Sequence, residues 1–269
     1  MKKIFIMTDM EGCAGILNHD DWVTPEGRWY EKGMKILTEE VNAVIDGLIA
    51  GGAAEFLVAD GHGAGGIDPL LLHPRALLLR GNVPYPFHMD SSFDGIAFVG
   101  GHAKAGTPFS HITHTEWFDR IDISVNGLSV GEYGEMALFG LELGVPCIFA
   151  GGEEAFAREA EALTPGVVGV GVKRGLKEDG LDHLTTGEYR AAKLDAIHCS
   201  HFEACRRLRE GAALAVRKLL DSPASFRHPA VNPPYRLEVR YRAEKKGEPQ
   251  RTACHTHESS LIKLFNSQW

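Results

Sequence analysis

The chain lacks any run approaching the roughly 20 consecutive apolar residues that a membrane-spanning helix needs. Its N-terminal apolar stretch meets Asp9 and Glu11 too early to be the core of a secretory leader. No membrane partner is expected. Basic charge is also short: 28 Lys and Arg against 36 Asp and Glu give a formal net charge of -8 over 269 residues. Binding nucleic acid needs a concentrated basic patch to neutralise phosphates, and none is present, so that partner class is excluded. The nearest groupings, Arg206-Arg207 with Arg209 and Lys245-Lys246, read as a solvated helix face and a turn. The five cysteines are odd in number and form no CxxC pair, which argues against a disulfide framework. A reduced, cytoplasmic setting is expected. Internal repeats and low-complexity tracts are absent as well.

What the chain does have is a hydrophobic fraction of 44%, enough for a sizeable core. The stretch from Ile4 to Gly12 is an apolar run closed by two acids. Read as a buried strand, it points residues i and i+2 to the same side, so Asp9 and Glu11 converge at its carboxyl end. Two carboxylates that close repel each other unless a proton or a cation sits between them. Open α/β sheets place their ligands at that end.

An apolar stripe of Met34, Leu37, Val41, Val44, Ile45 and Leu48 predicts a helix over 30–50, ended by Gly51-Gly52. A second buried strand, 55–60, runs into Gly61-His62. Strand, helix and strand make a βαβ unit, whose strands are parallel with their carboxyl ends side by side. Asp60 and His62 then repeat the spacing of Asp9 and Glu11 from the neighbouring strand. Alone, Asp60 is a turn cap and His62 an idle loop histidine; together on that edge they are candidate ligands. A third strand, 95–101, delivers His102 and opens a loop to His114.

Further on, Asn126-Gly127 signals a hairpin. A helix follows from Glu132 to about Leu143, and the bland reading of Glu132 is an acid favoured by the helix dipole. A strand over 147–152, a helix over 153–163 and a strand over 167–172 continue the alternation. Residues 185–220 read as one long helix or two, with a break near Gly187 or Gly211. One alternating strand, 235–241, precedes a polar tail. The fold class expected is α/β, a mostly parallel sheet flanked by helices in three layers, with a smaller C-terminal α+β portion. The division is expected as 1–180 for the metal-binding catalytic part and 181–269 for the C-terminal part, atypical after about 247. Cys254, His255 and His257 are read there as an idle tail rather than a metal site.

Thr8-Asp9-Met10-Glu11-Gly12, Asp60-Gly61-His62, the run from Gly101 to Pro108, His114-Thr115 and Asn126-Gly127 followed by Gly131-Glu132 together resemble the D-aminopeptidases of the M55 metallopeptidase family. The similarity runs from Met1 to about Val172, weakens through the long helix and is poor after Gly247. It implies a hydrolase with two Zn2+ ions per subunit, Mn2+ or Co2+ being compatible with the same ligand types. Its metal ligands would be Asp9, Glu11, His62, His102 and Glu132, with Asp60 beside them, and His114 would be catalytic. His111 competes for that last role. Short peptides containing D-amino acids such as D-alanine are the implied substrates. A homo-oligomer is implied too, decamers being known in the family.

Two positions depart from the family's pattern: Gly134-Glu135-Met136-Ala137 stands where Gly-x-Asn-Ala is usual, and Gly152-Glu153 where Gly-Asp is usual. An amidohydrolase or esterase with the same dinuclear site, or a non-catalytic α/β ligand-binding protein, are the alternative readings.

Overall fold

A computed structural model describes residues 2–267. Along the chain it gives β1 (Lys2–Thr8), a one-turn helix α1 (His19–Trp22), α2 (Tyr30–Gly51), β2 (Ala53–Asp60), β3 (Ala76–Leu79) and β4 (Gly95–Gly101). Next come β5 (Arg120–Val125), β6 (Leu128–Val130), α3 (Glu132–Leu143), β7 (Cys147–Glu153), α4 (Glu154–Leu163) and β8 (Val168–Gly175). The last part holds α5 (Thr186–Arg190), β9 (Ala196–His198), α6 (His201–Asp221), β10 (Tyr235–Tyr241), β11 (Arg251–His257) and α7 (Leu261–Asn266).

Seven strands form one sheet in the order β3-β2-β1-β4-β7-β8-β9, parallel except for β9. The apolar run of β1 is buried on both faces because it is central. Ile4 and Ile6 enter one core with α2 and α6, while Phe5 and Met7 enter the other with α3 and the second sheet. Strict alternation of side chains along a strand divides them in this way. The helix expected over 30–50 is α2, closed by Gly52 at φ 111 with its N–H on the carbonyls of Leu48 and Ile49. It packs against α6 closely enough that a Cβ on Gly47 would strike the carbonyl of Arg209.

From β1 the chain winds outward to β2 and β3, then returns to place β4 on β1's other side. The crevice at the carboxyl ends of β1 and β4 is therefore the topological switch point, where such sheets bind ligands.

A second, antiparallel sheet has the order β11-β10-β5-β6. Its β5–β6 hairpin turns at Asn126 and Gly127, both left-handed at φ 51 and 82, as the dipeptide predicts. Strands from both sides of residue 180 build this sheet, since β10 pairs with β5.

Two expectations are corrected. Residues 185–220 form two helices, one of the two arrangements expected, but the break lies at neither glycine: α5 ends at Arg190, and β9 pairs antiparallel with β8 before Ser200 caps α6 through the Glu203 N–H. Gly211 lies inside α6, where it allows close approach to Val170 and Phe149, and breaks nothing. The tail is not idle either. β11 pairs with β10 along its whole length, and α7 buries Leu261, Leu264 and Phe265 completely. Its histidine has structural work: His257 Nδ1 accepts the Ser260 N–H at 2.9 Å, and Ser260 in turn caps α7 through the Lys263 N–H.

Candidate metal centre

The apolar run of β1 ends at Thr8, and the chain stays beside β4 for four more residues. Asp9 N–H donates to Val99 O at 2.9 Å and Gly12 N–H to Gly100 O at 2.7 Å. That hold is so close that a Cβ on Gly12 would collide with the carbonyl of Gly101. The buried Lys173 ammonium from β8 reaches the Glu11 carbonyl from the other side. Asp9 and Glu11 are thereby fixed with 5% and 2% exposure, brought together by the turn that follows the strand rather than by alternation along it.

His62 faces them from the loop after β2, its Nδ1 3.1 Å from both Asp9 Oδ1 and Glu11 Oε2. His102, the residue after β4, brings Nε2 to 3.4 Å from Asp9 Oδ2 and 3.6 Å from Glu132 Oε1. Glu132 opens α3. His114 stacks on His102 with ring centroids 4.2 Å apart, and on Phe118 at 4.3 Å. Donor atoms of Asp9, Glu11 and His62 lie within 4.8 Å of one another, as do those of His102, His114 and Glu132.

Each of the three histidines is anchored by its other nitrogen to a backbone carbonyl: His62 Nε2 to Val23 at 2.7 Å, His102 Nδ1 to Ala103 at 3.0 Å and His114 Nδ1 to Ile112 at 2.8 Å. A carbonyl only accepts, so those nitrogens carry the protons, and the opposite nitrogens turn lone pairs toward the carboxylates. Asp9 Oδ2, Glu11 Oε2 and His102 Nε2 are buried without a hydrogen-bond partner among the described residues. Orphaned, converging oxygens and imidazole nitrogens are a donor set that fits divalent transition metals.

The charge balance says the same. Burial and the Glu11 charge push Asp9 up to about 7. Burial also works against Glu11, but the His62 charge overrides it and holds that carboxyl well below the usual range. At Glu132, burial is likewise outweighed by His102, and the group is held near 2. His62 and His102 are raised against their own burial by Glu11 and Glu132 respectively.

Asp60 stands apart, which corrects the expectation of a ligand. It sits level with Thr8 in the sheet register, below the cluster. Both its oxygens are engaged, by the N–H groups of Gly66 at 2.7 Å and Ile67 at 3.2 Å and by Arg80 at 3.2 Å. His111 is also elsewhere. Its ring lies 5.4 Å from that of His198, and burial followed by the Lys173 charge lowers it to about 2. His114, by contrast, lines the cavity at the cluster.

That cavity measures about 360 Å³, in the range of small-molecule sites. Beyond the expected residues its wall includes His19, Glu116 and Trp117, which nothing in the sequence singled out, and Glu135 and Met136, which the sequence marked only as part of a departure from the family's pattern. Glu153 was noted only as a departure, yet it ties the loop together: its two oxygens accept the N–H groups of Ala103 at 2.9 Å and His111 at 2.7 Å.

The sequence model of the peptidase M55 D-aminopeptidases matches residues 1–256. The chain belongs to this family. A D-aminopeptidase of Bacillus subtilis (strain 168) is 35% identical over 190 residues, which is 68% of each chain. Among solved structures, the Zn-dependent D-aminopeptidase DppA from Bacillus subtilis, described as a self-compartmentalizing protease, superposes with a TM-score of 0.84. That match covers 99% of this chain and 95% of the other at 26% identity, so the M55 fold extends through the C-terminal region where similarity in sequence is weakest. As an M55 member the chain is a metallo-aminopeptidase.

Proposed function

We propose that this protein is a zinc-dependent aminopeptidase that removes a D-configured N-terminal residue, such as D-alanine, from short peptides at a dinuclear site. The observation that carries the reading is the convergence of two largely buried donor groups, Asp9, Glu11 and His62 and then His102, His114 and Glu132, with Asp9, Glu11, His62, His114 and Glu132 in the wall of a ligand-sized cavity. Asp9, Glu11 and His62 would hold one ion; His102, Glu132 and the second oxygen of Asp9 would hold the other. Bound zinc supplies Lewis acidity toward an amide carbonyl and a nucleophile available at neutral pH.

The chain's own groups do the rest. Backbone anchors keep each imidazole in one tautomer and orientation. Burial, reinforced by the His102 charge, lowers His114 to about 4. At neutral pH its Nε2 therefore carries a lone pair and can take a proton from the nucleophile, then pass it to the leaving amine. His114 is the catalytic histidine in this scheme. Trp117, Phe87 and Phe98 line the cavity and limit water around the scissile bond.

The D preference follows both Bacillus subtilis comparisons, and the zinc follows the Zn-dependent DppA structure. Self-compartmentalization in one of them supports a homo-oligomer here, a decamer enclosing the sites. The five free cysteines accord with a cytoplasmic location. A panel of D- and L-dipeptides assayed with added Zn2+ tests the proposal. Cleavage of dipeptides with an N-terminal D residue, lost on chelation and restored by zinc, is expected. Turnover of simple amides or esters with no peptide cleaved would overturn it in favour of an amidohydrolase.

A further inference from the structure

The cavity wall holds two acids that the metal cluster does not use, Glu116 and Glu135. Glu135 lies three residues after Glu132 on α3, and residues so spaced share a helix face. It is only 3% exposed and lines the cavity beside Tyr85, Phe98 and Met136. The Tyr85 hydroxyl donates to Glu135 Oε2 at 3.4 Å, while Oε1 has no hydrogen-bond partner among the described residues.

Its acidic neighbours are already answered. Glu132 faces His102 and accepts the Glu116 N–H at 2.8 Å. Glu116 pairs with Arg120 at 3.1 Å, and Arg120 is also committed to Asp119. Among the described residues Glu135 has no ion-pair partner. A buried carboxyl oxygen without a donor is costly, and a ligand that supplies a charged donor removes that cost.

We propose that Glu135 receives the α-ammonium group of the substrate's N-terminal residue and is the specificity-determining residue that restricts the site to free N-termini. The inference rests on the aminopeptidase reading above. Neighbours three apart on a helix have Cβ atoms roughly 5–6 Å apart. That separation suits an ammonium held by Glu135 while its own carbonyl, two bonds away, lies by the Glu132 end of the cluster. The surrounding Met7, Phe98 and Met136 side chains offer the ammonium no competing polar contact. An acylated or internal residue brings an uncharged amide to the same place and leaves the acid unanswered.

The test uses the zinc-loaded protein and the Glu135→Gln variant, with Tyr85→Phe as a milder second variant that loosens the same carboxyl. Zinc content is checked by elemental analysis. Hydrolysis of D-alanine p-nitroanilide is compared with that of propionic p-nitroanilide, which lacks the amine, and binding of D-alaninamide is compared with its N-acetyl derivative by calorimetry. Expected in Glu135→Gln is a KM for the amine substrate raised about 10- to 100-fold, the range of one charged hydrogen bond. The amine-free substrate should be unaffected, and the preference for D-alaninamide should disappear. Unchanged KM and binding, or equal losses on both substrates, would overturn the inference. If wild type prefers D-alaninamide and the variant does not, yet no peptide is cleaved, the role of Glu135 stands and the peptidase reading falls.

Discussion

Asp9 Oδ2 stands 3.4 Å from His102 Nε2, while the other oxygen of the same carboxylate, Oδ1, stands 3.1 Å from His62 Nδ1. One side chain therefore faces both donor groups. In the proposed dinuclear site Asp9 would bridge the two ions, and its removal should empty both positions. Asp9→Ala is expected to abolish zinc binding altogether, whereas Glu132→Ala should lose only the ion shared with His102. Elemental analysis of the two purified variants separates these outcomes, and a full zinc complement in Asp9→Ala would show that it does not bridge.

This centre was largely legible from strand periodicity. Asp9 and Glu11 follow a central apolar strand, and His62 and His102 follow its two parallel neighbours, so the parallel order of the strands was enough to bring them to one edge. Asp60 misled because alternation says which side a residue faces and not how far along the strand it sits; one position lower, it closes the Gly66–Ile67 turn instead. Glu132 was hidden by its own good manners, since an acid opening a helix needs no further explanation. Glu135, Glu153 and Lys173 act through contacts distant in sequence, and no local pattern marks those. The tail was misread because β11 is an edge strand with half-exposed residues, which leaves a weak alternation.

Glu40 gives the fold a pH dependence independent of the metal ligands. It is fully buried on α2, where its carboxyl accepts the Ala14 N–H at 3.0 Å, and burial pushes it up to about 7 from an ordinary 4.5. Between those values the folded protein keeps the proton that the unfolded chain releases. The unfolded state then binds fewer protons, so stability falls as pH rises through that window. The decline attributable to Glu40 is about 3 kcal/mol at most. Glu40→Gln retains the acceptor and cannot ionise. Denaturant unfolding from about pH 5 to pH 8 should show a flatter stability curve in the variant, and parallel curves would refute the assignment.

Phe265 measures what the C-terminal helix contributes. Its ring is completely buried and meets Phe139 edge-on at 5.4 Å and Tyr85 at 6.2 Å. Tyr85 also reaches Glu135 in the cavity wall, so the helix supports the site from behind. Phe265→Ala should cost about 3–5 kcal/mol. A loss below 1 kcal/mol in equilibrium unfolding would mean that the tail is not packed as described.

His114 and His111 are three residues apart on one loop, and the structure separates their environments. His114 gives its Nδ1 proton to Ile112 O, stacks on His102 and lines the cavity. His111 is completely buried beside His198, with its backbone N–H held by Glu153. His114→Ala should keep the zinc held by Asp9, Glu11 and His62 and lower kcat by roughly 100-fold or more, the effect of removing a positioned acid-base group. His111→Ala should lose stability by leaving a cavity while kcat stays near the wild-type value. The same dipeptide assay on both variants, with zinc content measured in parallel, distinguishes the roles. A collapse of kcat in His111→Ala with full activity in His114→Ala would transfer the catalytic role. Loss of one zinc ion together with activity in His114→Ala would instead make His114 a ligand alongside His102 and Glu132.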